Sequence, residues 1–178
     1  MDIAQFVERS EGQWRSMRSG HSLAFQQFEE VLSAISITAV AVDDPGVTAL
    51  LQQHQLESQT PAAPFAMEWK AESDWEPDDP NDVAAGSCLL VPIPTGDTTG
   101  KLLRSVGYAE AEAAISTYAF LSDGTFVLHT QYGQSMAEER IWFVSEHVRC
   151  RSSVLRTSAG SGVLQTSFAS EVRRLNLE

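Results

Sequence analysis

The sequence predicts an all-β protein whose strands pair in an antiparallel barrel or sandwich. Ten segments are rich in β-branched and aromatic residues and alternate in part between apolar and polar positions, which is typical of half-buried strands. Turn signals such as Ser122-Asp123-Gly124 separate several of them and suit short antiparallel connections. The predicted strands span residues 14–27, 33–42, 65–73, 86–93, 101–108, 113–121, 125–133, 138–145, 147–157 and 163–174.

Two short helices accompany the strands. Residues 2–9 have an N-cap candidate in Asp2 and carry their apolar side chains on one face, which predicts a helix ahead of the first strand. This helix is suited to act as a lid or plug. After the second strand, Pro45 occupies a favourable first helical position, and an apolar stripe that begins at Val47 predicts a second helix ending near His54.

One domain spanning residues 1–178 is expected. A chain of 178 residues of which 43% are hydrophobic can bury a full core without disulfides or metal ions. No apolar run approaches the roughly 20 residues that a membrane-spanning helix needs. The N-terminus lacks the features of a secretory signal or a transit peptide. We therefore expect a cytoplasmic protein with no membrane partner.

The charge of the chain argues against one class of partner. The formal net charge is −12, and residues 1–90 hold 4 basic and 15 acidic side chains, against 8 and 9 in residues 91–178. Such an acidic surface repels nucleic acid, so nucleic acid is not expected as a partner. An anionic small molecule would need local arginines, and these gather in the C-terminal half.

The cysteines and histidines show no spacing that indicates a catalytic or metal centre. Cys88 and Cys150 form no C-x-x-C motif and are expected to be reduced and buried. The four histidines have no metal-ligand spacing with each other or with the cysteines, and no serine stands in a nucleophile-elbow pattern. Neither a metal site nor a hydrolytic triad is predicted.

A tryptophan at the start of the first predicted strand favours a barrel over a sandwich. Gly12-Gln13-Trp14 resembles the G-x-W signature of lipocalin-type barrels, in which the indole closes one end and packs on an arginine of the last strand. Arg173 or Arg174 is expected to supply that cation. A plain core position for the tryptophan is the alternative. Small up-and-down barrels of this type enclose a single small-molecule ligand.

A more specific resemblance extends along the whole chain. The segments that carry it are FVERSEGQW at 6–14, RSGHSLAF at 18–25, GSCLLVP at 86–92, EERIWF at 138–143, VRCRSS at 148–153 and SFASEVR at 167–173. With these segments the sequence resembles the S-type phycobiliprotein lyases, the bilin chromophore lyases of cyanobacteria and some algal plastids.

The resemblance implies a ten-stranded antiparallel lipocalin-like (calycin) barrel without a cofactor of its own. The substrate would be a phycobilin, phycocyanobilin or phycoerythrobilin, which the protein orients and delivers to a cysteine of an apo-phycobiliprotein subunit. There a thioether would form at the A-ring side chain. A homodimer, or a heterodimer with a related lyase subunit, is also implied, and leftover apolar residues of the outer face such as Ile115 and Phe120 are candidates for that contact.

Two arginines two positions apart are the candidate grip for the two propionates of a bilin. Arg149 and Arg151 share one face of a strand, and Ser153 continues that face. The resemblance promotes Glu139 as the group that accepts the pyrrole N–H groups and keeps the bilin protonated, with Glu171 second. Alternation alone argues otherwise, because the less polar residues of this strand form the other face and would leave the arginines in solvent. The resemblance favours the inward orientation.

The remaining candidate ligand contacts come from the first half of the chain. Arg18 is assigned to the bilin site by the resemblance. Trp69 and Trp75 would stack on the conjugated face of the pigment, or Trp69 would be a core residue and Trp75 an anchor of the acidic loop at residues 74–82. Met67 is adaptable apolar lining in either case.

Two other functions are compatible with such a barrel. A lipocalin-like carrier would bind a hydrophobic ligand without transferring it, and an assembly chaperone would bind an apo-protein subunit without any ligand. The absorbance of a phycobilin mixed with the protein distinguishes the chaperone from the other two. Addition of an apo-phycobiliprotein then distinguishes the lyase from the carrier.

Overall fold

The chain folds into a closed barrel of antiparallel strands. A computed structural model describes residues 1–72, 85–105, 114–159 and 162–175. Within them, each strand pairs with its neighbours in sequence, and the last strand pairs with the first. The elements are α1 Ile3–Ser10, β1 Gly12–Ser22, β2 Gln27–Ala39, α2 Pro45–Gln53, β3 Phe65–Ala71, β4 Ala85–Pro94, β5 Thr99–Arg104, β6 Ala114–Phe120, β7 Phe126–Tyr132, β8 Ser135–Phe143, β9 Val148–Thr157 and β10 Val163–Arg173. The predicted all-β barrel with ten strands and two helices is confirmed.

The first hairpin differs from the prediction at its turn. The predicted first strand, residues 14–27, is too long, because β1 ends at Ser22 and β2 already begins at Gln27. Gln26 adopts a φ of 53°, a left-handed conformation that helps the chain to reverse. The polar residues at the start of β2 lack an apolar pattern, yet they pair with β1 along the whole hairpin. Pairing with a neighbouring strand therefore extends β2 beyond its apolar part.

Helix α1 closes one end of the barrel. Its N-terminus is held by a capping box in which the side chains of Asp2 and Gln5 each accept a hydrogen bond from the other's backbone N–H. Phe6 stacks on Phe126 with ring centroids 4.4 Å apart and packs edge-on against Phe143. The apolar face of the helix thus forms the floor of the barrel.

Trp14 forms part of this floor, as the G-x-W pattern predicts. The indole is fully buried, and its N–H donates to the carbonyl oxygen of Ser10 at 2.8 Å. The guanidinium carbon of Arg173 lies 4.3 Å from the centroid of the indole ring, and that of Arg149 lies 4.5 Å from it. Of the two arginines expected to pack on the tryptophan, Arg173 supplies this cation–π contact, whereas Arg174 forms an ion pair elsewhere.

Helix α2 lies outside the barrel against β4 and β5. It begins at Pro45 and has His54 as its C-cap, as predicted. Its Val47 packs with Val91 and Leu103, and all three side chains are fully buried. The two strands are therefore covered on their outer face by α2, while their inner face borders the barrel interior. In the part of the chain that the structure describes, neither helix has the length and apolar character of a membrane span.

Two expectations about individual outer residues need correction. Phe120 was expected on the outer face together with Ile115, but it is buried and its ring packs edge-on against Phe6 in the barrel floor. Ile115 is partly exposed as expected. Cys88 is buried as expected, but Cys150 is partly exposed because the neighbouring arginines occupy the inward positions of β9. The proposed dimer stays a prediction.

We expect the substitution Gly100→Ala to destabilise the barrel. A methyl group there would lie 2.5 Å from the carbonyl oxygen of Ile93 and 2.5 Å from the ring of Tyr118. Relief of this clash requires a backbone shift, and such overpacking costs about 1–3 kcal/mol of unfolding free energy. Urea denaturation measures the effect. Gly162→Ala, whose nearest neighbouring atom would be 3.9 Å away, is the control, and equal losses in both variants would contradict this prediction.

Candidate functional site

The barrel encloses a cavity with an apolar and a polar chamber. The apolar chamber has a volume of about 280 Å³ and is lined mainly by aromatic and aliphatic side chains of β3, β4, β7 and β8. The second chamber, called the polar chamber here because it holds more polar groups, has a volume of about 480 Å³. Its lining combines apolar side chains with hydroxyl, amide and charged groups, most of the polar ones from β1, β2, β9 and β10. The side chains that line both chambers are those of Met67, Trp69, Glu139 and Arg151. Small-molecule sites usually have volumes of roughly 300–1,000 Å³.

The arginines of β9 point into this cavity. Arg149 is 1% exposed, and Arg149, Arg151 and Ser153 all line the chambers. The expectation from alternation alone, which left the arginines in solvent, is wrong. The reason is that this wall has a polar inner face and an apolar outer face, where Phe168 and Val172 of the paired strand β10 are exposed.

Glu171 is the carboxylate that both arginines share. It lies opposite Arg149 in the register of β9 and β10, and the Nε of Arg149 donates to its Oε2 in a fully buried ion pair. The Nε of Arg151 lies 3.7 Å from its Oε1, and the hydroxyl of Ser16 donates to the same oxygen at 3.5 Å. The second candidate proton acceptor is therefore part of an ion network that orients the β9 arginines.

Burial and charge act in opposite directions on this network. Burial raises the pKa of Glu171, but Arg151 and Arg149 together lower it, and the pKa lies below its ordinary value. Burial lowers the pKa of Arg149 to about 10, although Glu171 opposes that shift. Both groups are therefore charged at neutral pH. Among the described residues, the buried Nη2 of Arg149 has no hydrogen-bond partner, which leaves a donor for an anionic ligand.

Glu139 belongs to a second buried ion pair. The Nη2 of Arg104 lies 2.8 Å from the Oε2 of Glu139, and both residues are buried. Burial raises the pKa of Glu139, but Arg104 and Arg151 outweigh it and lower the pKa below its ordinary value. The carboxylate is therefore ionised at neutral pH and able to accept hydrogen bonds.

Among the residues that the structure describes, Arg104 is the one charged residue of the apolar chamber that the sequence analysis did not identify. The signal that would have found it is its place on β5, two residues after Leu102. Residues two apart on a strand share a face, and Leu102 belongs to the buried core. A polar residue on such a face is the informative exception, since charged side chains are rarely fully buried unless paired.

The aromatic and sulfur candidates on β3 line both chambers. Trp69 lines the cavity and also packs against the apolar core. A place in the core and a surface toward the ligand, which were alternatives in the sequence analysis, are therefore compatible. Its indole lies over Gly86 of the paired strand, where a Cβ atom would be 2.3 Å from the ring. Glycine at this position lets the ring lie close to the backbone of β4. Met67 lies two residues before it on the same face.

Arg18 is separated from the other arginines. It lines the polar chamber and forms an ion pair with Glu29 at 2.8 Å, where both side chains are partly exposed. A salt bridge of this kind contributes little to stability and is free to rearrange for a ligand. Trp75, the remaining candidate, lies outside the described residues.

The cavity carries a surplus of positive charge within an acidic protein. Among the described residues, the charged side chains that line the two chambers are Arg18, Arg104, Arg149, Arg151, Glu29, Glu139 and Glu171. Four guanidinium groups thus face three carboxylates, while the whole chain has a net charge of −12. A site of this composition favours an anionic ligand with a large apolar body.

Comparison with known proteins assigns this barrel to a family. The family described as CpeS-like protein matches residues 2–174. The chain belongs to the CpeS-like family. It is 50% identical to "Chromophore lyase CpcS/CpeS 3" of Trichodesmium erythraeum, with 97% of this chain and 99% of that protein covered. It is 38% identical to "Chromophore lyase CpcS/CpeS" of Thermosynechococcus vestitus, with 97% and 93% covered.

A solved structure supports the same assignment. The S-type phycobiliprotein lyase CPES from Guillardia theta is 41% identical and superposes with a TM-score of 0.82, covering 99% of this chain and 94% of that one. The expected lipocalin-like fold and the S-type lyase resemblance are thereby confirmed. In this CpeS-like protein, the candidates that meet around the cavity are Met67, Trp69, Glu139, Arg149, Arg151, Ser153 and Glu171, with Arg18 in the polar chamber.

We expect Glu171→Gln to destabilise this CpeS-like barrel by about 3–5 kcal/mol, because it leaves two inward arginines without their shared carboxylate. The pKa of Glu171 is lower in the folded protein than in the unfolded chain, where a glutamate has a pKa of about 4.3. The ionised carboxylate therefore stabilises the fold fully above that value, and this stabilisation is lost as the pH falls through the pKa of Glu171 in the folded protein. The free energy of unfolding of the variant should therefore fall less steeply on acidification.

Denaturation with urea at a series of pH values between 7 and 3 measures both effects. The exposed Glu146→Gln is the control, since it removes a carboxylate without touching the network. Equal stabilities of Glu171→Gln and Glu146→Gln at pH 7 would contradict the prediction.

Proposed function

We propose that this CpeS-like protein is a chromophore lyase that binds a phycobilin and attaches it covalently to a cysteine of an apo-phycobiliprotein subunit. Its family and the names of its relatives, which are chromophore lyases and a phycobiliprotein lyase, support the reaction. The single observation that carries the proposal is the cavity, in which an apolar chamber adjoins a more polar one, with Arg151 lining both and Arg149 beside it on β9. An open-chain tetrapyrrole with two propionates has the matching chemistry.

The ligand groups divide between the two kinds of wall. Arg149 and Arg151 donate charge-assisted hydrogen bonds to the propionates, and Ser153 on the same face adds a hydroxyl. The conjugated rings pack on Trp69 and Met67, which offer a flat aromatic surface and an adaptable apolar one. Arg18 and Trp75 complete the proposed ligand contacts, Arg18 from the polar chamber.

The chemical step needs an activated pigment and a thiol from the partner. The thiol sulfur bonds to a carbon of the A-ring side chain, the double bond at that side chain is consumed, and the pigment gains the proton, so no leaving group is involved. Glu139 accepts pyrrole N–H groups and favours the protonated, more electrophilic pigment. Glu171 acts on the pigment through the arginines that it orients. The phycobilin is the substrate, and no separate cofactor is assigned.

The partners follow from the reaction. They are a phycobilin, either phycocyanobilin or phycoerythrobilin, and an apo-phycobiliprotein subunit that carries the acceptor cysteine. A second copy of the chain or a related lyase subunit is the proposed further partner. We place the reaction in the cytoplasm, with the whole chain, residues 1–178, acting as one bilin-binding domain.

A two-stage mixing experiment tests this function. Mixed with phycocyanobilin or phycoerythrobilin, the protein should shift the absorbance of the pigment, whereas a chaperone without a ligand site would leave it unchanged. Addition of apo-phycobiliprotein subunits should then yield pigment that stays attached after denaturation, at a rate above that without the lyase. Binding without accelerated attachment to any acceptor subunit would identify a carrier.

We expect Arg151→Ala to weaken phycobilin binding by roughly ten- to a hundredfold. Loss of a charge-assisted hydrogen bond costs about 1.5–3 kcal/mol, and the acidic protein leaves the anionic ligand in an unfavourable potential. Arg151→Lys should restore only part of the affinity, since an ammonium group lacks the bidentate geometry. Arg149→Ala should weaken binding similarly.

Absorbance titration at constant ionic strength measures these affinities. Arg156→Ala is the matched control, because Arg156 lies on the same strand with its side chain exposed. If Arg149→Ala and Arg151→Ala bind and transfer the pigment as well as the parent protein, the propionate assignment is wrong even though the family is established.

We expect neither cysteine of the chain to take part in transfer. Burial and the nearby Glu171 raise the pKa of Cys150, which keeps its thiol protonated and weakly nucleophilic. Cys88 is buried, and the acceptor thiol belongs to the partner. A Cys88→Ser/Cys150→Ser double variant should therefore transfer pigment at nearly the parent rate in the same denaturation-resistant attachment assay. Complete loss of transfer by a folded double variant would overturn this prediction.

A further inference from the structure

Arg104 is a buried cation on an apolar wall. It is 5% exposed and lies at the end of β5, where Leu102 and Leu103 before it are almost fully buried. Leu90 is its register partner on β4. Even when it is paired with a carboxylate, a buried guanidinium often stabilises a protein no more than well-packed apolar residues do, so an apolar residue would be the ordinary choice for stability alone. The position therefore calls for an explanation beyond packing.

The geometry of the ion pair between Arg104 and Glu139 provides such an explanation. Arg104 contacts Glu139 across the inside of the barrel, at 2.8 Å, between β5 and β8, which are separated by two other strands. The register neighbours of Glu139 on its own sheet are Leu128 and Ser153, neither of which carries a charge. The guanidinium that contacts the carboxylate thus comes from a strand that does not pair with β8, and the two side chains meet in the apolar chamber.

We infer that Arg104 is a positioning residue of the lyase site, which holds the Glu139 carboxylate at the junction of the two chambers in the orientation that meets the pyrrole nitrogens. This inference rests on the proposed function and adds a residue to it. Arg104 acts through Glu139, and the propionates are bound elsewhere, by the arginines of β9.

Removal of Arg104 has a definite consequence for Glu139. The charged groups that face this carboxylate in the described structure are Arg104 from β5 and Arg151 from β9, with Arg149 and Glu171 beyond them in the β9–β10 network. Burial raises the pKa of Glu139, and Arg104 and Arg151 lower it. Without Arg104 only one of the two arginines remains, so the pKa of Glu139 is expected to rise. Arg151 would then be the one remaining arginine among the described residues that acts on this carboxylate, so the Glu139 side chain is expected to turn toward Arg151.

The test compares Arg104→Gln, Arg104→Lys and Glu139→Gln with the parent protein. We expect Arg104→Gln to bind phycobilin within a few-fold of the parent affinity but to transfer it about a hundredfold more slowly, since a small misplacement of a reacting group has an effect of that size. The absorbance band of the protonated bound pigment should weaken as in Glu139→Gln. The acidic limb of the transfer rate against pH should move to higher pH.

Two further variants make the result specific. Arg104→Lys keeps the charge and should recover part of the rate and of the pH profile, which loss of packing alone would not allow. The Arg104→Gln/Glu139→Gln double variant should be no slower than Glu139→Gln, because the two residues act as one unit. Lys101→Gln, an exposed change on the same strand, is the control and should transfer at the parent rate.

The outcomes separate the inference from the function on which it rests. The positioning role would be overturned if Arg104→Gln had the pH profile and the transfer rate of the parent protein. It would also be overturned if the rate losses of Arg104→Gln and Glu139→Gln multiplied in the double variant. In both cases the parent protein would still transfer pigment. If Arg104→Gln fails to fold, Arg104→Lys is the deciding variant. An Arg104→Lys/Glu139→Gln double variant whose rate losses multiply would then overturn the positioning role. A parent protein that transfers no pigment would instead overturn the proposed function.

Discussion

The buried carboxylate of Glu171 is the constraint on which the inside of this barrel depends. Two arginines point inward from β9, and neither could be accommodated there without a counter-charge. Glu171 supplies it from the neighbouring strand, in direct register with Arg149 and within 3.7 Å of Arg151. Because one carboxylate serves two guanidinium groups, the network is compensated only in part. The residual positive charge favours an anionic ligand in the cavity.

The apolar half of the cavity makes the charged half selective. A chamber lined only by arginines and hydroxyls would bind many small anions, and one lined only by aromatic side chains would bind many hydrophobic molecules. Their junction, where Trp69, Arg151 and Glu139 line both chambers, favours a ligand that has an anionic group next to an apolar body. Helix α2 packs on the outer face of β4 and β5, so these two strands of the apolar wall are covered on that side as well.

The sequence predicts the fold far better than it predicts the direction of the site residues. Strands, turns and caps are local, so the ten strands and the capped α1 could be found from residue patterns. The contact of Trp14 with the last strand followed from the resemblance to the G-x-W signature, which left Arg173 and Arg174 as alternatives. The inward direction of Arg149 could not, because alternation assumes an apolar interior, and the β9–β10 wall has its exposed apolar residues outside. Resemblance to a family was needed to choose the right face. Arg104 was missed because its partner Glu139 is remote in sequence and meets it only in the closed barrel.

Trp14 links the floor of the barrel to the recognition of its contents. The indole lies beneath the guanidinium groups of Arg149 and Arg173, one from the candidate ligand site and one from the strand that closes the sheet. A single side chain thus belongs to two tasks that are usually distributed over separate residues. If Arg149 binds the ligand as proposed, a change at Trp14 would alter the packing of the floor and the position of a ligand-binding side chain at the same time.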